Sequence, residues 1–285
     1  MMIIDSQVHA YQENTPNRPW DTIPDWPKQV TGHQMVAAMD RLDIHGAILV
    51  SPFSLYGYDA SYAVQVGNKF PQRFALVKPV DPADPQVGDV IAAWKEKPGA
   101  VGVRIIMTKS RMSLRQRMGS DNPNLDLVCR ESFRNDLPIN LLCWDNLDAA
   151  FDLIDRHPDT RFIIDHLGIL QPMGAEIWPN QWAALPRVLE LASRQNAVIK
   201  VSGVCTLSDE GSPFSDIWDP LARVFDAWGI DRCLWGSDWT RTFALVNYEQ
   251  AINPFFSTDR LTKREMAELM GGACAKVYNW KPETY

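Results

Sequence analysis

Asp5, Gln7 and His9 stand two residues apart in Ile-Ile-Asp-Ser-Gln-Val-His. In an extended chain that spacing sends all three side chains out of one face. Four more apolar runs carry polar groups toward their C-terminal ends. Arg104 is embedded in Val-Arg-Ile, and Asp165 and His166 follow Phe-Ile-Ile. Lys200 and Ser202 alternate in Ile-Lys-Val-Ser-Gly, and Asp238 lies in Trp-Gly-Ser-Asp-Trp with Arg241 close behind. Charged side chains in apolar surroundings are rare unless paired or functional. One such residue would mean little. Five runs that bring carboxylates, imidazoles and cations to one rim imply an enzyme active site centred on Asp238.

Each residue also has an ordinary reading. Asp238 suits the N-cap of a following helix. His9 and His166 suit hydrogen-bonded core histidines. Lys200 and Ser202 suit structural pairing as well as contact with substrate. His33, His45 and His157 fall at helix ends or in a turn and receive no role.

The elements that must position these residues alternate. Strands are expected at Met2–Asp5, Gly46–Ser51, Phe74–Pro79, Val101–Met107, Pro138–Cys143, Arg161–Asp165, Ala197–Ser202 and Arg232–Gly236. Helical stretches lie between them, among them Gln34–Leu42, Ala60–Phe70, Leu125–Asn135, Leu147–Arg156, Trp182–Arg194 and Pro220–Trp228. The alternation implies βαβ units and a parallel sheet. The strand runs are short and almost wholly apolar, as strands covered on both faces should be. Eight units in 285 residues imply one α/β domain over 1–285, a (β/α)8 TIM-like barrel with C-terminal helices over 262–280. No Gly-x-Gly-x-x-Gly follows the first strand, so a dinucleotide fold loses its main support. Two long loops, about 10–32 and 108–123, follow strands and so fall on the face where barrel enzymes place their sites. The first holds Pro16, Pro19, Trp20, Pro24 and Trp26 and is expected to act as a lid.

Composition narrows the class. The net charge of −7 argues against a nucleic-acid partner, which needs a basic face. No apolar stretch approaches the ~20 residues that span a bilayer, and the N-terminus lacks the pattern of a signal peptide, so no membrane partner is expected. Five dispersed cysteines suit reduced thiols and a cytoplasmic location rather than a disulfide framework. Against the acidic whole, the segment 108–119 holds Lys109, Arg111, Arg115 and Arg117 and no acid. With Arg104 and Arg241 it is expected to bind carboxylates, because a planar guanidinium matches their geometry. A solvated surface loop or an oligomer contact is the plainer reading of that segment. Trp20, Trp26, Trp144 and Trp239 are candidates for lining the pocket. The expected partner is a small anionic substrate, and a homodimer is allowed.

The chain resembles the amidohydrolase superfamily, in its amidohydrolase-related branch of lactonases and non-oxidative decarboxylases. The resemblance runs through residues 3–9, Gly-Val-Arg (102–104), Asp-His-Leu-Gly (165–168), Lys-Val-Ser-Gly (200–203), Trp-Gly-Ser-Asp-Trp (235–239) and Gly-Gly-Ala-Cys-Ala-Lys-Val-Tyr (271–278). The family's metal pattern opens with His-x-His, but here the first position is Gln7. The fourth strand offers no lysine to bridge two metals, and the fifth reads Ile-Asn-Leu-Leu-Cys-Trp without histidine. His9, His166 and Asp238 remain as ligands, enough for one Zn²⁺ or Mn²⁺. A neutral amide is a poor substitute for imidazole, so the expectation is a metal-independent enzyme with no cofactor.

By resemblance to metal-independent lactonases, Asp238 is the base that takes a proton from water. His166 and His9 polarise the lactone carbonyl, with Gln7 beside them. Gln7, Arg104, Arg111, Lys200, Trp239 and Arg241 contact the substrate. The expected activity is hydrolysis of a small carboxylated lactone, derived from a sugar acid or from aromatic degradation. The alternatives are a metal-dependent decarboxylase and a barrel that only binds a small acid.

Overall fold

The computed structural model describes residues 1–108, 123–172, 174 and 180–283. Eight parallel strands follow one another around a barrel in sequence order. They are β1 (Ile4–Val8), β2 (Gly46–Val50), β3 (Phe74–Pro79), β4 (Ala100–Ile106), β5 (Ile139–Leu142), β6 (Phe162–Ile164), β7 (Ala197–Ser202) and β8 (Cys233–Gly236). The helices are α1 (Gly32–Asp40), α2 (Phe53–Tyr56), α3 (Ser61–Lys69), α4 (Val87–Lys95), α5 (Pro123–Arg134), α6 (Leu147–Arg156), α7 (Leu185–Leu191), α8 (Trp218–Trp228), α9 (Trp239–Thr242), α10 (Tyr248–Ser257), α11 (Lys263–Ala267) and α12 (Ala273–Val277). The expected fold is therefore the observed one, a distorted (β/α)8 barrel.

The first strand starts later than the apolar pattern suggests. β1 runs through Asp5, Ser6 and Gln7, all fully buried. Other strands supply their partners, which a local reading of polarity does not see. Asp5 closes the seam between the last strand and the first. Its Oδ1 accepts from the Ser237 N–H at 2.9 Å and its Oδ2 from the Ser237 hydroxyl. Beside this seam the Asp238 N–H donates to the Gln7 carbonyl at 3.0 Å. The closure places the end of β8, and hence Asp238, directly against β1.

The terminal segment is one helical run interrupted by a π-helical turn at Glu268–Gly272. A Cβ at Gly271 would lie 2.5 Å from the Met2 carbonyl oxygen. Only glycine allows the run to pack this tightly under β1. Among the described residues, no helix is long and apolar enough to cross a membrane.

Candidate active site

The site forms where β1, β6 and β8 end. Asp238 occupies the N-cap position of α9, but its side chain makes no capping hydrogen bond. Its backbone is left-handed, with φ 51°, and His166 and Leu167 after β6 share that conformation at 53° and 60°. Such backbone costs roughly 1–3 kcal/mol at a non-glycine residue and persists only where the surroundings enforce it. Here it turns Asp238 and His166 toward one another across the barrel mouth.

Asp238 is fully buried. Its Oδ2 accepts from Arg241 Nε and lies 3.5 Å from His166 Nδ1. Its Oδ1 lies 3.6 Å from His9 Nε2 and has no hydrogen-bond partner. Burial pushes the carboxyl pKa up. The Arg241 guanidinium, followed by the two imidazoles, outweighs that and holds it below the usual range. Arg241 is anchored by the Pro172 carbonyl at 3.1 Å and by Gln171 Oε1. Gly203, with φ 65°, passes so close that a Cβ there would strike both Gln171 and Arg241.

A hydrogen-bond chain fixes the state of His9. Lys200 Nζ can only donate, and it donates to Gln7 Oε1 at 2.8 Å. The Gln7 amide nitrogen therefore faces His9 Nε2, 3.4 Å away. On its other side His9 Nδ1 meets the Val50 carbonyl at 2.7 Å, so Nδ1 carries the proton. Burial lowers the His9 pKa to about 4 and that of His166 to about 3. Both rings are neutral near pH 7, and His9 Nε2 presents a lone pair toward Asp238. Ser202 Oγ sits 3.0 Å from His166 Nδ1 and orients that ring.

Beneath the site lies a buried ionic cluster. Asp165 pairs with Lys200 at 3.1 Å and with Arg104 Nε at 2.8 Å. Burial alone would raise its pKa; Lys200 and then Arg104 hold it well below the usual carboxylate range.

A cavity of about 240 Å³ opens above, lined at its inner end by His9, Arg104, His166 and Arg241. The first long loop contributes Thr22, Ile23, Pro24 and Trp26, as its position after β1 implies. Trp26 stacks on His9 with ring centres 5.9 Å apart, and Trp144 lies 5.3 Å from His166. The expected site residues therefore separate into groups. His9, His166, Asp238, Gln7, Arg104 and Arg241 come together. Lys200 is fully buried below the cavity and acts on it through Gln7 and through the Asp165–Arg104 pair. Trp239 stacks on Tyr248 and does not line the cavity. Arg111, with the rest of the basic segment from Lys109 onward, lies outside the described residues. Phe53, Leu142 and Leu170 line the cavity and were not singled out, because an apolar residue at a strand end carries no distinctive sequence signal.

Comparison with known proteins gives the family and the fold. The family model described as Amidohydrolase matches residues 4–280. A 4-sulfomuconolactone hydrolase of Rhizobium radiobacter is 29% identical over 241 residues, 81% of this chain and 71% of that protein. A solved structure named as a probable 2-pyrone-4,6-dicarboxylic acid hydrolase, from Acinetobacter baumannii with citric acid bound, superposes with TM-score 0.76. It is 21% identical and covers 98% of this chain and 100% of its own. An amidohydrolase of Burkholderia multivorans, solved with bound zinc, has TM-score 0.74 at 24% identity, covering 98% of this chain and 99% of its own.

The zinc-bound relative corrects the expectation of a metal-independent enzyme without a cofactor. That expectation named His9, His166 and Asp238 as donors enough for one ion, but gave more weight to the loss of a histidine at Gln7. His9 Nε2 and the unpartnered Asp238 Oδ1 point lone pairs at each other across 3.6 Å, an arrangement a cation would relieve. The pair fits one ion. His166, the third donor of the expected set, lies 3.5 Å from Asp238 Oδ2; on the His9 side the Gln7 amide N–H, with the Lys200 ammonium behind it, offers no lone pair to a second ion. Among the described residues, no group of three or more His, Cys, Asp or Glu is already arranged around a metal position.

Proposed function

Since the chain belongs to the amidohydrolase family and is a hydrolase of that broad class, we propose that it opens a small carboxylated lactone with water activated by Asp238. The observation that carries this reading is Asp238 Oδ1, a buried carboxylate oxygen with no hydrogen-bond partner. The group is ionised at neutral pH, so it accepts a proton. Water enters between the His9 and His166 rings, which shield the carboxylate. As its oxygen bonds to the lactone carbonyl carbon, one proton passes to Asp238. The carbonyl electrons move onto oxygen, where a ring N–H of His166 serves as donor. The acyl–oxygen ring bond then breaks, and the departing oxygen takes the proton from Asp238. The product is a hydroxy or keto acid, and ionisation of its new carboxyl releases one proton. A positioned base contributes roughly 10²–10⁴ in rate, and preorganised oxyanion donors about 10²–10³ each. Arg104 holds the substrate carboxylate through its terminal nitrogens, since its Nε is committed to Asp165. A zinc ion held by His9 and Asp238 would supply Lewis acidity toward the carbonyl oxygen.

A pH-stat screen of carboxylated lactones tests the proposal. The wild type should release one proton per ring opened, and Asp238→Asn should lower kcat by at least about 10³ with KM changed little. Full activity in Asp238→Asn would remove it as the base. Release of CO₂ from a carboxylated arene in place of ring opening would favour a decarboxylase.

A further inference from the structure

Tyr278 ends the run Gly-Gly-Ala-Cys-Ala-Lys-Val-Tyr and does not line the cavity. It follows α12 and is 4% exposed. It shares one buried cluster with Ile4, Ile48, Val77, Ile163 and Leu234, which come from β1, β2, β3, β6 and β8. A side chain grouped with so many strands stands in the barrel interior rather than on its wall. The chain beyond it is wedged at the foot of the barrel. A Cβ at Gly46, the first residue of β2, would lie 2.8 Å from both Trp280 and Pro282.

From this foot a buried chain of hydrogen bonds climbs to the cavity. The Tyr278 hydroxyl donates to Asn140 Oδ1 at 3.0 Å. The Asn140 amide N–H donates to Asp165 Oδ1 at 3.4 Å, and Asp165 Oδ2 accepts from Arg104 Nε at 2.8 Å. Asn140 and Asp165 have no solvent exposure, and Arg104 lines the inner end of the cavity. The ionised Asp165 only accepts, so it faces the amide N–H, and the amide oxygen is left to face Tyr278. The phenol thus fixes which way the Asn140 amide points. We infer that Tyr278 is a positioning residue for Arg104, acting from the opposite end of the barrel through Asn140 and Asp165, and that it sets the affinity of the cavity for a carboxylate. The inference rests on Arg104 as the carboxylate anchor in the lactone-hydrolysis reading above. Without the phenol, the amide is free to turn its oxygen toward Asp165. That carboxylate then leans on Lys200 and Arg104 and draws the guanidinium away from the cavity.

The test compares binding of furan-2-carboxylate with that of its neutral isostere furan-2-carboxamide, read by quenching of Trp26 and Trp144 beside the cavity. The wild type should prefer the carboxylate, and Arg104→Met should remove most of that preference. Tyr278→Phe keeps the ring and loses only the hydroxyl. It should raise the carboxylate Kd about three- to tenfold, the range one hydrogen bond commands, and leave the carboxamide Kd within about twofold. In the Arg104→Met background the same change should have no effect on either probe. If Tyr278→Phe does not fold, combining it with Asn140→Leu removes the stranded amide, and the same loss of preference is expected. With lactones that carry a carboxylate, the loss should appear in KM rather than kcat. Equal weakening of both probes, or an unchanged carboxylate Kd, would overturn the inference while leaving Arg104 as the anchor. No preference in the wild type, or one undiminished in Arg104→Met, would refute the anchor and this inference with it.

Discussion

Replacing Lys200 with methionine separates the buried scaffold of this site from its chemistry. Lys200 has no solvent exposure, and its ammonium contacts Gln7 Oε1 at 2.8 Å and Asp165 Oδ1 at 3.1 Å. Removing one partner of a buried ion pair costs about 3–5 kcal/mol, because the other charge is left uncompensated. Asp165 keeps Arg104 Nε at 2.8 Å and Asn140 Nδ2 at 3.4 Å, so the lower end, about 3 kcal/mol, is expected. Gln7 loses the donor that fixes its amide. A flipped amide would turn Oε1 toward His9 Nε2, acceptor against acceptor, and favour the tautomer that gives up the Val50 bond. Misplacement of this kind lowers kcat by about 10²-fold. Urea unfolding followed by tryptophan fluorescence reads the first effect, and steady-state kinetics the second. Gln7→Leu should lower kcat to a similar degree, and the double variant should lose no more than either single one. A stability loss below about 1 kcal/mol would refute the buried-pair argument. Additive kcat losses would refute the path through Gln7.

Two further predictions concern acid and metal. His9 and His166 titrate at about 4 and about 3 in the fold, against 6.5 for a free imidazole. Their contribution to stability is therefore complete above pH 6.5 and declines as pH falls toward the folded values. Between pH 6.5 and 5 the two together lose roughly 3 kcal/mol. Asp5, raised to about 6 by burial, acts in the opposite sense: its contribution is complete below 3.8 and is lost as pH rises through 6. It returns about 1 kcal/mol over the same interval, so a net loss of roughly 2 kcal/mol is expected in urea melts at pH 5 relative to pH 6.5. Unchanged stability at pH 5 would show that the imidazoles are not held neutral. Equilibrium dialysis against Zn²⁺ should saturate at one ion per chain, and His9→Ala should abolish that binding; two ions per chain would contradict the blocking role assigned to Gln7 and Lys200.

The sequence carried the barrel because eight nearly continuous apolar strands alternate with helices, and β3 and β7 fall on their expected bounds. β1 was misplaced because Asp5 and Gln7 find their partners on β7 and at the end of β8, which no local pattern records. His9, His166 and Asp238 were legible as polar residues where an apolar strand ends. Lys200 was legible as unusual but not in role, because whether a buried ammonium faces substrate or Gln7 depends on the third dimension. Trp239 was read as pocket-facing, yet the turn set by left-handed Asp238 carries it onto Tyr248. The metal expectation failed for a related reason. Counting histidines registered the loss at Gln7 but not the unpartnered carboxylate oxygen facing His9.

The claim on which the account turns is that Asp238 activates water and does not itself attack the substrate. A single turnover in H₂¹⁸O with enzyme in excess over lactone separates the two. Activation of water places one ¹⁸O atom in the product carboxylate and none in the peptide containing Asp238. Label in Asp238, with an unlabelled product carboxylate, would contradict the account and make the carboxylate a nucleophile.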